Sequence, residues 1–348
     1  MKTNAREIGS EFDYRNEFLN EKNNSLFESG LLTYSGRTAI GVAISDILKT
    51  RKIGVAWLPS YSCESMAQPF YDLGIKVEFY SVSYDFKKNK IVREDFEPCK
   101  NDVVLTMGYF GFGDAGNIEL VKKCRDKGII VIEDGTHSLL SHTEFLADYR
   151  VSSLRKWFAA ASGGFVQKRD GTLDASLNAC DRSIVDMRIL AMKEKMLYLE
   201  SEPDESLKSA FLEKYRIVNQ SFSKNYKNLA IDEWSASILR KTDVEKIRQR
   251  RRENAQVLLD ALCGLSGIRS MFDTLDSYDC PLFVPILCEN RAGLQKKLAE
   301  NKIYCPTHWP KHSDKANSNF YDFELSLICD HRYLKDDMER ILKVVKES

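Results

Sequence analysis

Gly128-Ile129-Ile130-Val131-Ile132-Glu133-Asp134-Gly135-Thr136-His137 is the stretch on which the reading of this chain turns. Four branched aliphatic residues follow a glycine and run into two carboxylates and a Gly-containing turn. A run this short, apolar and β-branched reads as a strand buried on both faces, the kind found in parallel sheets covered by helices. Asp134 then falls at the carboxyl end of that strand, where ligands of open α/β sheets bind. Taken alone, Asp134-Gly135 is also an ordinary turn opening, and His137 an ordinary core or surface histidine.

The same alternation extends on both sides. Upstream, Ile40, Ile44, Ile47 and Leu48 recur at helical spacing after Ser35-Gly36-Arg37-Thr38. Ile53 to Leu58 reads as a strand stopped by Pro59, 62–73 as a helix, and Lys76–Tyr80 and Asp102–Met107 as further strands. Downstream, 171–260 is charged and mostly helical. From about 278 an α/β pattern returns: strands at Pro281–Leu287, Lys302–Tyr304 and Phe323–Ile328, then a closing helix marked by Met338, Ile341, Leu342 and Val345. The expected architecture is α/β. It has an N-terminal arm over 1–30 and a large domain over 31–240 with a mostly parallel sheet and a helical segment at 175–240. A smaller C-terminal α/β domain covers 241–348.

Composition narrows the function classes. The 348 residues contain 51 Lys+Arg and 51 Asp+Glu, so nothing in the charge balance calls for nucleic acid or an acidic membrane. Lys246-Ile247-Arg248-Gln249-Arg250-Arg251-Arg252 is basic but reads as a solvated helix face. No apolar stretch approaches the about 18 residues needed to span a bilayer. The charged start carries no apolar signal core, so a cytoplasmic protein is expected. The nine cysteines are scattered without a CxxC pair, which speaks against a disulfide framework or a zinc knuckle.

Two further stretches give Asp134 company. Ser152-Ser153-Leu154-Arg155-Lys156 precedes Ser162-Gly163-Gly164 and a new strand. A lysine there, partly buried beside Arg155, would have the lowered pKa that an amine nucleophile needs. Ser35-Gly36-Arg37-Thr38 opens a helix, whose N-terminal amides make a phosphate site that Gly lets a ligand approach closely. Each signal is ordinary alone. In this order they supply what pyridoxal phosphate (PLP) demands: fixed donors for its phosphate, an anion for its ring nitrogen and a lysine for its aldehyde.

From about residue 30 onward the chain resembles the DegT/StrS-type sugar aminotransferases, which implies the aspartate-aminotransferase-like fold (PLP fold type I) and a homodimer. Ser35-Gly36-Arg37-Thr38-Ala39-Ile40 matches the phosphate loop, Leu58-Pro59-Ser60-Tyr61-Ser62-Cys63 the segment over the ring, and Glu133-Asp134-Gly135-Thr136-His137 the family's Glu-Asp-Ala-Ala-Gln. Arg251-Arg252-Glu253-Asn254 matches the Arg-rich helix leading to the small domain. The resemblance implies Lys156 as the Schiff-base lysine and Asp134 on the ring nitrogen. It further implies Gly36, Arg37, Thr38, Ser152 and Ser153 around the phosphate and His137 near the 3-hydroxyl. Cys63 stands where an aromatic residue usually stacks, with Tyr61 or Tyr109 as substitutes, and Asn225 is the candidate for the phosphate-reaching Asn of a neighbouring subunit. Tyr109, His308 and Arg332 are expected to line the acceptor pocket, Arg332 as a bidentate carboxylate binder. The activity implied is transfer of an amino group from glutamate or glutamine to a keto acceptor, a nucleotide-linked keto-sugar by default. The dehydratases of the family carry His in place of the lysine, and this chain keeps Lys156.

Rivals from other classes are weaker. Ser153-Leu154-Arg155-Lys156 satisfies the SxxK motif of penicillin-binding proteins, but their Lys-Thr-Gly is absent. His308 and His312 have a metal-ligand spacing, yet Pro310 between them disfavours a helix, so no metal is expected and a loop at the active-site mouth is. Two alternatives stay within PLP chemistry: a non-catalytic PLP-binding regulator, and an enzyme acting on a non-sugar small molecule.

Overall fold

The computed structural model describes residues 6–348 apart from Pro203. In chain order the elements of the first half are β1 (Ile8–Gly9), β2 (Leu31–Thr33), α1 (Gly36–Leu48), β3 (Val55–Pro59), α2 (Glu64–Asp72), β4 (Lys76–Tyr80), the hairpin β5 (Val82–Asp85) and β6 (Lys90–Arg93), β7 (Val103–Met107), α3 (Ala115–Asp126), β8 (Ile130–Asp134), β9 (Tyr149–Ser153) and β10 (Gly164–Lys168). Four helices follow, α4 (Arg182–Glu200), α5 (Glu205–Lys224), α6 (Glu233–Lys241) and α7 (Val244–Leu262). The chain closes with β11 (Ile268–Ser270), β12 (Phe283–Cys288), α8 (Arg291–Glu300), β13 (Ile303–Tyr304), α9 (Phe320–Phe323), β14 (Glu324–Ile328) and α10 (Lys335–Lys346).

Seven of the helices begin where a short polar side chain caps the first turn. Ser35, Asp114, Asp181, Asp204, Asp232, Asp243 and Asn290 each accept an amide of the helix they open. The central sheet has seven strands in the order β2-β10-β9-β8-β7-β3-β4. Its inner strands pair in parallel, and β10 runs antiparallel to both neighbours. All five residues of β7 are buried, as the apolar run demands. The strand before Ser60 runs through Pro59, which pairs with Tyr80; as the last residue of β3, its missing N–H interrupts no ladder.

A second sheet, β11-β12-β14, is antiparallel, and α10 buries Met338, Ile341, Leu342 and Val345. The strand read at 302–304 does not join it. Instead β13 pairs in parallel with β1, so the start of the chain is stitched onto the C-terminal region. Among the described residues no helix is long and apolar enough to cross a membrane.

Candidate active site

Strand alternation decides which carboxylate serves the site. Glu133 turns to one face, where Arg150 Nε holds it at 2.9 Å. Asp134, last in β8 and 6% exposed, turns to the other. Burial raises the Asp134 pKa, against a bond from Thr136 and the charge of Lys156. Thr136 is the joint of this region. Its N–H donates to Asp134 Oδ1 (2.8 Å), its Oγ1 accepts the Ser153 N–H (2.9 Å), and its carbonyl accepts Trp157 Nε1–H (2.6 Å). Trp157 is fully buried, and the Arg251 guanidinium lies 4.5 Å from its ring centroid while bonding the Leu282 carbonyl. Lys156, in the 3-10 turn Leu154–Lys156, is thereby clamped between the end of β8 and α7. Burial lowers its pKa; Cys63 and Asp134 oppose that, and Arg155 adds to it.

The start of α1 meets the same turn. Ser35 Oγ accepts the Thr38 N–H, and the Ser35 carbonyl accepts that of Ala39. The first-turn amides of Gly36 and Arg37 remain ahead of the cap. A Cβ on Gly36 would stand 3.0 Å from Ser153 Cβ and 3.2 Å from its Cα, so any other residue would push helix start and lysine segment apart by a few tenths of an ångström. The Thr38 hydroxyl donates to the Tyr226 carbonyl, and Arg37 Nη1 to that of Phe222.

One buried ring at the site holds unspent hydrogen-bonding capacity. His137 is fully buried; its Nδ1 accepts the Phe110 N–H at 3.2 Å, which places the ring proton on Nε2, and Nε2 has no partner. Burial, with Lys156 and His308 adding, holds this histidine well below its ordinary pKa, so the ring is a neutral donor. Ser152 Oγ and Thr106 Oγ1 are also buried and unpaired, but strand alternation sets them with Glu133 and Arg150 on the other face of the sheet, so the expectation that Ser152 holds the phosphate is not met and Ser153 is the serine on the Asp134 face. With the glycine cradle over Ser153 and a desolvated Asp134, this orphaned donor fits a polar cofactor carrying an anionic group.

A cleft of about 940 Å³ opens beside Lys156, lined also by Glu11, Arg155, Arg251, His308 and Arg332. His308 and Lys156 thus share one cavity. Arg332 reaches it too, but its guanidinium is taken by Asp330 (Nη2 at 2.6 Å, Nε at 3.1 Å) and by the carbonyls of Glu11 and Ser10. Tyr109 is buried, its hydroxyl donating to the Tyr61 carbonyl at 2.7 Å. Tyr61 lies in an aromatic cluster with Phe320, ring centroids 4.4 Å apart. Cys63 precedes α2, its Sγ 2.9 Å from Ser65 Oγ. Asn225 is the exposed C-cap of α5, and His312 Nε2 lies 3.4 Å from Ser62 Oγ. Sequence reasoning gave no role to Thr136 or Trp157; Trp309, expected in the loop at the site mouth, has its ring 5.6 Å from Lys156 Nζ and 5.3 Å from His137.

A family model described as the DegT/DnrJ/EryC1/StrS aminotransferase family matches residues 100–324. The chain belongs to that family. It is a PLP-dependent aminotransferase on that ground, and PLP dependence is what the family implies. No curated relative matches the sequence. Solved structures share the fold at low identity. S. venezuelae DesV in complex with a ketimine intermediate superposes at a TM-score of 0.64 and 16% identity, over 99% of this chain and 91% of that one. Helicobacter pylori PseC, an aminotransferase involved in the biosynthesis of pseudoaminic acid, gives 0.64 and 14% over 98% and 97%. A GDP-4-keto-6-deoxymannose-3-dehydratase with a trapped PLP-glutamate geminal diamine gives 0.63 and 16% over 92% and 89%.

Proposed function

We propose that the chain moves an amino group from glutamate or glutamine to a keto-sugar, nucleotide-linked by default, with PLP held by Lys156. The observation that carries this reading is the meeting of Lys156, with its lowered pKa, and Asp134 at the sheet end, beside the unpaired Nε2–H of His137. Bound there, PLP supplies an aldehyde for the lysine and a protonated ring that draws electrons from the substrate carbon. The Asp134 carboxylate accepts the ring N–H, and the His137 Nε2–H donates to the ring hydroxyl. The Gly36 and Arg37 amides hold the phosphate with the Ser153 hydroxyl, and Thr38, its proton given to the Tyr226 carbonyl, fixes the helix start behind them. The depressed pKa of Lys156 raises the share of neutral amine near pH 7, so it can take a proton from the substrate carbon and return it. With Arg332 closed on Asp330 and Lys208 on Glu7, the cleft keeps Arg155, Arg251 and Lys296 against Glu11 and suits an anionic acceptor of sugar size. The proposal includes residues 31–240 as the cofactor domain, 241–348 as the smaller domain, and a homodimer working in the cytoplasm.

The test is the absorption spectrum of purified protein with added PLP. Wild type is expected to give a yellow band that L-glutamate bleaches, and Lys156→Ala to lack the lysine-dependent band. Absence of any band in the wild type would refute the reading. A band that no amino donor changes would point to a binder without transaminase activity.

A further inference from the structure

Amino transfer to a ketone requires protons to be moved at two places, the substrate carbon and the substrate oxygen. Lys156 serves the first. His308 has a setting built for the second. It lines the same cleft and is 6% exposed. Its ring stands 5.1 Å from His137, 4.8 Å from Phe283, 5.9 Å from Phe110 and 5.3 Å from Trp309. Behind it, Ser326 Oγ donates to Glu324 Oε1 (2.5 Å), and Glu324 Oε2 accepts the His308 backbone N–H (2.6 Å). The serine's proton is committed to the carboxylate, so Ser326 Oγ faces His308 Nδ1, 2.8 Å away, as an acceptor. Nδ1 therefore carries the ring proton. Nε2 is left as a lone pair, with no hydrogen bond among the described residues.

Glu324 makes this arrangement informative. Its side chain is fully buried, and among the described residues the one basic side chain within 4 Å of it is the neutral His308 ring, at 3.8 Å. A buried carboxylate without a Lys or Arg is expensive to keep for stability alone. Two residues apart on β14, Glu324 and Ser326 present their side chains to one face, where together they orient the ring. The charged or titratable groups facing His308 are Glu324 behind and Lys156 and His137 in front. Burial holds the histidine below its ordinary pKa against the pull of Glu324, which keeps the ring neutral at pH 7.

Resting on the function proposed above, we propose that His308 Nε2 moves the proton at the substrate oxygen, with Ser326 and Glu324 as positioning residues. In amination of a ketone a C–N bond forms, the C–O bond breaks, and the oxygen leaves as water. The two protons this oxygen takes up come from the incoming nitrogen. His308 accepts one from nitrogen and hands it to oxygen, ending as it began; this condensation with loss of water is redox-neutral, and the reduction of the acceptor carbon belongs to the proton shift at carbon, where the carbon that gives up the amine is oxidised. Release of the keto acid from the donor is the same step in reverse, so both half-reactions use it. Lys156 remains the base at carbon.

The first test is the ¹⁵N NMR tautomer of His308 in the cofactor-free protein. Wild type is expected as Nδ1–H. In Glu324→Gln the amide oxygen must keep the His308 backbone N–H, so the NH₂ faces Ser326. The serine proton then turns to Nδ1, and the ring proton moves to Nε2. The second test separates the two proton transfers in the PLP-loaded enzyme. His308→Gln is expected to slow net amino transfer by about 10²-fold or more, while exchange of the glutamate Cα–H with D₂O, the work of Lys156, persists within about threefold. An Nε2–H tautomer in wild type, an unchanged transfer rate in His308→Gln, or a parallel fall of exchange and transfer would each overturn the role of His308. Absence of exchange in the wild type would instead overturn the function proposed above, and the tautomer would still judge His308.

Discussion

Glu11 offers the most quantitative test of how the cleft is held together. Its Oε2 accepts from Arg188 Nη2 at 2.8 Å, and its carbonyl accepts from Lys195 and from Arg332 Nη1. Arg188 is 2% exposed and has no other carboxylate partner among the described residues. Burial pushes the Glu11 carboxyl up, but Arg188, Arg155 and Lys195 outweigh it and hold the pKa down to about 2, from 4.5. That difference of about 2.5 units is worth about 3.4 kcal/mol at about 1.36 kcal/mol per unit. A third of the Glu11 side chain is exposed, so solvent screening reduces this to about 2 kcal/mol. A carboxyl with a depressed folded-state pKa stabilises fully above its unfolded pKa of 4.5, and the contribution is lost as pH falls toward 2. Glu11→Gln should therefore lower the urea-unfolding free energy by about 2 kcal/mol at pH 7, and the gap to wild type should more than halve by about pH 3. A gap below about 0.5 kcal/mol at pH 7, or one that does not change with pH, would refute the assignment of Glu11 as the counter-charge of this cluster.

Two further outcomes follow from the clamp around Lys156. Gly36→Ala drives a Cβ to 3.0 Å from Ser153 Cβ. At an overpacking cost of about 1–3 kcal/mol it should part helix start from lysine segment; PLP affinity, read by absorbance titration, should fall about tenfold or more with helix content unchanged, and an unaltered affinity would refute the cradle. Trp157→Phe strands the Thr136 carbonyl and weakens the contact with Arg251, together about 2 kcal/mol. With an unfolding entropy of about 2.1 cal/mol/K per residue over 348 residues, calorimetry should show Tm lower by about 3 °C, and no shift would mean the indole N–H bond is not formed.

How far the molecule could be read from its sequence depends on the distance between partners. The places of Asp134, Lys156 and Gly36 in the fold were legible because each sits where a local pattern ends, at a strand terminus, before a Gly-Gly turn or at a helix cap, where ligands of α/β proteins bind. The mostly parallel sheet was legible for the same reason, since buried strands and capped helices declare themselves locally. Thr136 lies inside the very stretch that decides the fold, yet its role was invisible. The hydroxyl acquires meaning only when β9 pairs beside β8 and brings Ser153 to it. The two-residue strand β1 left no periodicity to read, and its partner β13 lies at the other end of the chain. Arg332 shows the opposite failure. The carboxylate that occupies it, Asp330, stands two residues before it in plain sight, but an arginine after a strand reads equally well as free or as paired until the turn's geometry is known. His308 combines both cases: its place in a loop at the cleft could be argued from Pro310, whereas its tautomer hangs on Glu324 and Ser326, brought behind it by the fold. Residue type and local punctuation therefore mark where the candidate site lies in this chain, and pairing across the fold decides the protonation state and free valence that each residue brings to it.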